Sequence, residues 1–133
     1  MEIDQVIPIF RMFDVTKARE FYLDYLGFHV AFEHRFHPEA PLYMGLVLGG
    51  TELHLSDHHN DSTPGSAVRL ELDDIDTFHA EIDGKNYAYY SAEIHEVPWG
   101  FREVSLKDPF GNRLVFCEPQ GSVKQERSKR DGP

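Results

Sequence analysis

Hydrophobic and polar positions along the chain fall into two successive sets that share one order of elements. Ile7-Pro8-Ile9-Phe10-Arg11-Met12-Phe13-Asp14 and Ala67-Val68-Arg69-Leu70-Glu71-Leu72-Asp73-Asp74 are both strand-like runs ending in Asp. Each leads into a helix-like run, Val15 to Leu26 and Ile75 to Ile82. In the first run Ala18, Phe21, Tyr22 and Tyr25 or Leu26 recur at helical spacing, with Asp14 placed to cap it and Gly27 to end it. Phe28, Val30 and Phe32 then alternate, which predicts a strand over 28–36. Tyr43 to Leu48 and Glu52 to Leu55 flank Gly49-Gly50 and predict a tight hairpin. A polar connector, Ser56 to Ser66, separates the sets.

The second set closes with Phe101 to Leu106 and Arg113 to Glu118 around Asp108-Pro109-Phe110-Gly111-Asn112. Tyr87 to Glu96 reads either as one or two short strands or as an irregular loop. A repeat of roughly 60 residues is too long for a solenoid unit and suits a βαβββ module. The expectation is an α+β protein of eight strands and two helices, with modules at 1–60 and 61–120 and a flexible polar tail at 121–133. That tail has almost no apolar residues and is expected to add nothing to the fold.

Size fits this plan, since 133 residues suit one compact domain or two small halves. No stretch approaches the roughly 20 apolar residues of a membrane span, and the first residues do not resemble a signal peptide. Cys117 is the sole cysteine, so no internal disulfide can form and a cytoplasmic address is expected. Its alternation with Val115 predicts a buried structural thiol. The net charge is −10, and residues 121–133, with Lys124, Arg127, Lys129 and Arg130 against Glu126 and Asp131, contribute +2, which leaves −12 on the body. Such a body repels nucleic acid and anionic membranes and attracts cations.

Two motifs extend this reading to a family. Asp14-(x)6-Phe21-Tyr22-(x)3-Leu26-Gly27-Phe28 and Asp108-Pro109-Phe110-Gly111-Asn112-(x)5-Glu118 resemble the vicinal oxygen chelate superfamily. That superfamily includes glyoxalase I, extradiol dioxygenases, and fosfomycin and bleomycin resistance proteins. The resemblance covers residues 1 to about 120 and implies two βαβββ modules forming a curved mixed sheet around a cavity. Carried over residue by residue, the ligand positions of metal-dependent members fall on Ile7, His54, Ala67 and Val115. Only His54 has a lone pair to offer, whereas a catalytic divalent site needs about three protein ligands. No metal, cofactor or catalytic residue is therefore expected. His54, Asp57, His58 and His59 cluster in sequence, but leave a strand for a loop and lack ligand spacing.

A cavity without metal remains. Period-two alternation carries its lining through Ile9, Arg69, Glu52, Ser56, Arg113 and Cys117. Arg69, charged on a strand that otherwise reads as core, is either a ligand contact or an internal partner of Glu52 or Glu118. Pro98-Trp99-Gly100-Phe101 resembles the stretch of bleomycin resistance proteins whose aromatic ring helps hold the flat part of the drug; alternatively Trp99 plugs the end of the sheet. The candidate ligand contacts are Trp99, Phe101, Arg69, His54, Glu52, Phe32, Phe36 and Arg113. The resemblance implies a homodimer that sequesters bleomycin-like cationic antibiotics without chemistry. A metal-dependent lyase or dioxygenase of the same superfamily is the alternative.

Overall fold

The computed structural model describes residues 1–88 and 90–131; Tyr89, within the ambiguous stretch from Tyr87 to Glu96, and Gly132 and Pro133, at the end of the tail, lie outside them. The elements run β1 (Ile9–Arg11), α1 (Val15–Arg19), a π-helical continuation (Glu20–Tyr25), β2 (His29–His34), β3 (Tyr43–Leu48) and β4 (Thr51–Ser56). Then follow β5 (Ala67–Glu71), α2 (Ile75–Asp83), β6 (His95–Val97), β7 (Phe101–Lys107), β8 (Arg113–Pro119) and α3 (Gly121–Asp131). The fold is α+β, with one four-stranded sheet in the order β1-β4-β3-β2 and another in the order β5-β8-β7-β6. Contacts group the chain into two units, Met1–Ser66 with Lys107–Asn112, and Ala67–Leu106 with the chain from Arg113 onward.

In the first unit Asp14 caps α1, its carboxylate accepting from the Lys17 amide at 3.0 Å. The expected single α-helix from Val15 to Leu26 widens to π geometry after Arg19. The wider turn accommodates Phe21, Tyr22 and Tyr25, all at 1% exposure or less, and closes through Leu26 N–H to Phe21 C=O and Phe28 N–H to Tyr22 C=O. Gly27 follows at φ +91°, the left-handed conformation expected of a residue that ends a helix. These aromatics pack with Phe10, Met12, Met44, Leu46, Leu53 and Leu55 as the core. Gly49 and Gly50 both have positive φ, as a two-residue turn between twisted strands requires. That turn sets Leu48 opposite Thr51, Val47 opposite Glu52 and Gly45 opposite His54.

The Asp108–Asn112 turn belongs to this first unit, although it joins two strands of the other. Asp108 accepts four hydrogen bonds: from the Phe110 and Asn112 amides at 2.8 Å each, from Tyr22 Oη at 2.6 Å, and from Asn112 Nδ2 at 3.0 Å. Burial and the adjacent Asp108 raise the Tyr22 pKa well above the ordinary phenol value, so its hydroxyl stays a donor. Asn112 Nδ2 also donates to Arg11 C=O at 2.9 Å.

The second unit repeats the plan. Asp74 caps α2, accepting from the Thr77 amide at 3.1 Å. Phe78 stacks on Phe116 at 4.2 Å, over a core of Ile75, Ile82, Val104, Leu106 and Leu114. Between α2 and β7 the described residues hold one short strand, β6, with Ser91 to Ile94 irregular. The two parallel pairings match in register: Ile9 faces His54, and Arg69 faces Val115. The amides beyond each first strand also match, Met12 N–H bonding Ser56 C=O and Leu72 N–H bonding Cys117 C=O.

Where a flexible polar tail was expected, residues 121–131 form α3, a third helix. Arg127 makes a two-pronged ion pair with Glu71, each bond 2.8 Å. Val123 lies against Gly100, where any Cβ would come within 2.7 Å of its Cγ2. The polar composition failed to reveal this because the anchorage rests chiefly on a half-buried valine and an ion pair, each made with residues distant in sequence. The hydrogen bond from Arg127 lowers the Glu71 pKa, so this anchorage is present at neutral pH and is lost as pH falls through the folded pKa.

Two stability outcomes follow from these contacts. Tyr22→Phe should cost about 1–3 kcal/mol, because a buried carboxylate loses a donor, and urea unfolding measures it; a loss below about 0.5 kcal/mol would show that the remaining three donors suffice. Ending the chain at Gln120 should cost about 1–2 kcal/mol, the value of a half-buried valine with an exposed ion pair. An unchanged urea midpoint would show that α3 rests on the unit without supporting it.

Candidate functional site

The open face of the first sheet is built on one row of facing residues. Ile9, His54, Gly45 and Phe32 follow one another across β1, β4, β3 and β2. Phe32 lies over Gly45, where a Cβ would come within 2.2 Å of its ring. Only glycine there lets the ring lie flat on the sheet. The Phe32 ring is stacked with Tyr43 at 6.1 Å and 15°, and His54 meets both edge-on at 5.2 and 5.3 Å. Phe32 keeps 41% of its surface exposed, and Ile9, at the other end of the row, 38%.

A hydrogen-bonded chain orders this aromatic group. Tyr43 Oη lies 2.6 Å from His54 Nδ1, and His54 Nε2 lies 2.6 Å from Glu52 Oε2. A carboxylate only accepts, so Nε2 carries the proton, and in the neutral ring Nδ1 then accepts from the tyrosine. Burial first, then the charges of Asp61 and Glu52, raise the Tyr43 pKa and keep the phenol protonated. Glu52 brings negative charge to the rim of an aromatic surface, the pairing that favours cations and flat conjugated rings.

Beside it, a small cleft of about 190 Å³ is lined by His34, Phe36, Tyr43, His58 and Asp61. Phe36, 78% exposed, meets His34 and His58 edge-on at 4.7 and 5.7 Å. The histidines that cluster in sequence thus diverge: His54 lies on the sheet and His58 against Phe36, while His59 lines another cleft with Arg11.

In the second unit Arg69 pairs with Glu103 at 2.6 Å and lies 5.0 Å over the Phe101 ring. The internal partner is neither Glu52, which holds His54, nor Glu118, which accepts from the Ile75 amide at 3.2 Å. Arg113 stands exposed opposite Ala67, with no ion-pair partner among the described residues. Trp99 sits in the turn between β6 and β7 at 60% exposure, so it does not plug a core. Cys117 is fully buried with its thiol 3.6 Å from Leu70 C=O, and burial raises its pKa. That is the inert environment of a structural cysteine.

Phe32, His54 and Glu52 therefore stand together, as do Arg69 and Phe101. Sequence reasoning missed Tyr43 and Glu103. Tyr43 was within reach: the Gly49-Gly50 turn fixes Gly45 opposite His54 and so makes Tyr43 its diagonal neighbour. Glu103 was not, because it depends on the order of β7 and β8 in the sheet.

The metal that the superfamily implies does not fit these residues. Ile7, Ala67 and Val115 have no donor atoms, and both ring nitrogens of His54 are engaged. Among the described residues, no three His, Cys, Asp or Glu side chains converge in a way that could hold an ion. None of the described helices is long and apolar enough to cross a membrane.

The hydrogen-bond chain makes a spectroscopic expectation. At a pH where the imidazole is neutral, nitrogen NMR should find His54 as the Nε2–H tautomer, and Tyr43→Phe should release part of that preference. A dominant Nδ1–H form in the unaltered protein would contradict the assigned direction of both bonds.

Comparison with known proteins agrees with this geometry at the level of the fold. TnmS3, an antibiotic binding protein from Streptomyces sp. CB03234, superposes with a TM-score of 0.71 at 24% identity, over 90% of this chain and 99% of that one. The bleomycin resistance determinant encoded on transposon Tn5 gives 0.68 at 21% identity, over 90% and 100%. A bleomycin-binding protein complexed with bleomycin gives 0.66 at 23%, over 89% and 100%. No curated protein sequence matches the chain. The sequence profile described as glyoxalase superfamily protein matches residues 1–122, and the chain belongs to that family, within the vicinal oxygen chelate superfamily.

Proposed function

We propose that the protein binds a small or medium-sized cationic, planar ligand without a metal, and sequesters bleomycin-type antibiotics. The observation that carries this reading is the Phe32–Tyr43–His54 aromatic group with Glu52 at its edge, on an open sheet face. Flat conjugated rings stack on such a surface, and a nearby carboxylate selects positive charge. Exposed Phe36 supplies further aromatic surface in the first unit, and the second unit, taken by itself, offers exposed Trp99 and Arg113, with Arg69 lying over the largely buried Phe101 ring, as a further contact surface. The charge of −12 on residues 1–120 draws cations from a distance. Supporting this reading, two structures of the same fold are described as a bleomycin-binding protein and an antibiotic binding protein. Binding alone, with no catalytic residue or cofactor, accounts for the features of the face. The working form in this proposal is a cytoplasmic homodimer. A single cysteine suits a reducing compartment, and closed two-fold pairing is the commonest way for such a chain to cover its sheet edges.

Calorimetry with metal-free bleomycin tests the ligand. Binding should persist in chelator, Phe32→Ala and Trp99→Ala should each weaken it by about 1–3 kcal/mol, and added salt should slow association. No heat and no competition at high micromolar drug would remove the sequestration reading, and a requirement for zinc, iron, manganese or nickel would remove metal independence. Light scattering at micromolar concentration tests the assembly: a particle of about twice 15.4 kDa is expected, and a monomer only would refute the dimer.

A further inference from the structure

The face just described suits cations, yet the same unit holds a cleft of opposite character. It has a volume of about 410 Å³ and lies at the end of β1, against the connector that follows β4. Arg11, Phe13, His59, Asn60, Ser62 and Thr63 line it, and no carboxylate does. In a chain with 23 acidic side chains against 13 basic ones, that exclusion sets the cleft apart.

Arg11 is held in a fixed pose. Its Nη1 donates to Met12 C=O at 2.9 Å, to Ser56 C=O at 3.3 Å and to Asp57 Oδ1 at 3.3 Å. The guanidinium carbon lies 4.5 Å over the Phe13 ring, and only 12% of the side-chain surface is exposed. All three bonds use one nitrogen. The opposite edge of the guanidinium, Nη2 and Nε, makes no hydrogen bond among the described residues, and that edge is the pair of parallel donors that grips a carboxylate. A second group lacks a partner: Ser62 Oγ is buried and makes no hydrogen bond among the described residues. Buried hydroxyls are rarely left so, and one in the wall of an arginine-bearing cleft suits an acceptor brought by a ligand.

We infer that this cleft is a second binding site, which takes a compact organic carboxylate, with Arg11 as the two-pronged anchor and Ser62 as an added donor. Asp57 does not oppose this role. It faces Nη1, away from the free edge, and its single contact at 3.3 Å fixes the arginine without saturating it.

The test is a titration of the full-length, nitrogen-labelled protein with benzoate, using benzamide as the neutral control of equal shape. Saturable shifts are expected at the Arg11 Nε–H and at the Asn60, Ser62 and Thr63 amides, with benzamide at least roughly tenfold weaker. Arg11→Lys should weaken benzoate at least about fivefold, since an ammonium cannot form the paired bonds, and Ser62→Ala should weaken it about two- to fivefold. Should the lysine variant unfold, the serine variant and the benzamide comparison still decide. Any of three results would overturn the inference: no saturable shift at tens of millimolar benzoate, benzamide equal to benzoate, or shifts centred on Phe32, Tyr43 and His54.

Discussion

Parallel pairing of the first and last strand in each unit is the constraint on which the open faces depend. β1 lies beside β4 and β5 beside β8, so each last strand is inside its sheet, with its hydrogen bonds used on both edges. Because side chains alternate along a strand, the register alone decides which ones leave the core. In the first unit it turns Phe10, Met44 and Leu55 inward and leaves Ile9, His54 and Phe32 on the other face. A slip of one residue would bury Glu52 and His54 and expose the leucines on either side of them. The core of each unit therefore enforces the chemistry of its face.

The same scaffold carries different chemistry in its two copies. His54 and Val115 are equivalent by register, as are Ile9 and Arg69. The first unit places its polar groups on its last strand, as Glu52 and His54, and the second places Arg69 on its first strand, paired with Glu103 on β7. A three-ligand metal site needs donor atoms at these equivalent places together. Here each polar residue instead has a neighbour within its own unit: histidine with tyrosine and glutamate, arginine with glutamate and an aromatic ring. Such groups orient surfaces for recognition, and ordering by hydrogen bonds reduces the entropy lost when a ligand docks.

Much of this architecture was legible in the sequence because it rests on short-range signals. The Asp14 and Asp74 caps, the positive-φ Gly27 and the Gly49-Gly50 turn each declare themselves within a few residues. The π-helical widening was not legible, since Phe21, Tyr22 and Tyr25 fit the α pattern as well and the choice is made by packing. Nor was α3, whose anchors, Gly100 and Glu71, lie 23 and 56 residues from their partners Val123 and Arg127 in sequence. At the site, His54 and Glu52 could be placed on one face by alternation, but Tyr43 needs the hairpin register and Glu103 the strand order. Sequence carries each side chain's periodicity well and its long-range partner poorly.

Asp108 shows how a motif shared with a family can have a structural rather than a chemical meaning. Asp-Pro-x-Gly is the most specific resemblance in the chain, and a carboxylate in a recurrent motif invites a catalytic reading. Its oxygens instead accept four donors: two backbone amides of its own turn, the Asn112 amide group and the Tyr22 hydroxyl. With 4% of its surface exposed, it is neither free to take a proton from a substrate nor open to an ion. Its loss would leave the Tyr22 hydroxyl and the Asn112 amide N–H without these bonds in the interior, which explains the aspartate without invoking a reaction. Glu52 differs on both counts: it is more exposed, and among the described residues its side chain has one hydrogen-bond partner, His54, on an open face. Burial and the number of donors thus separate the carboxylate that builds the fold from the one that can meet a ligand.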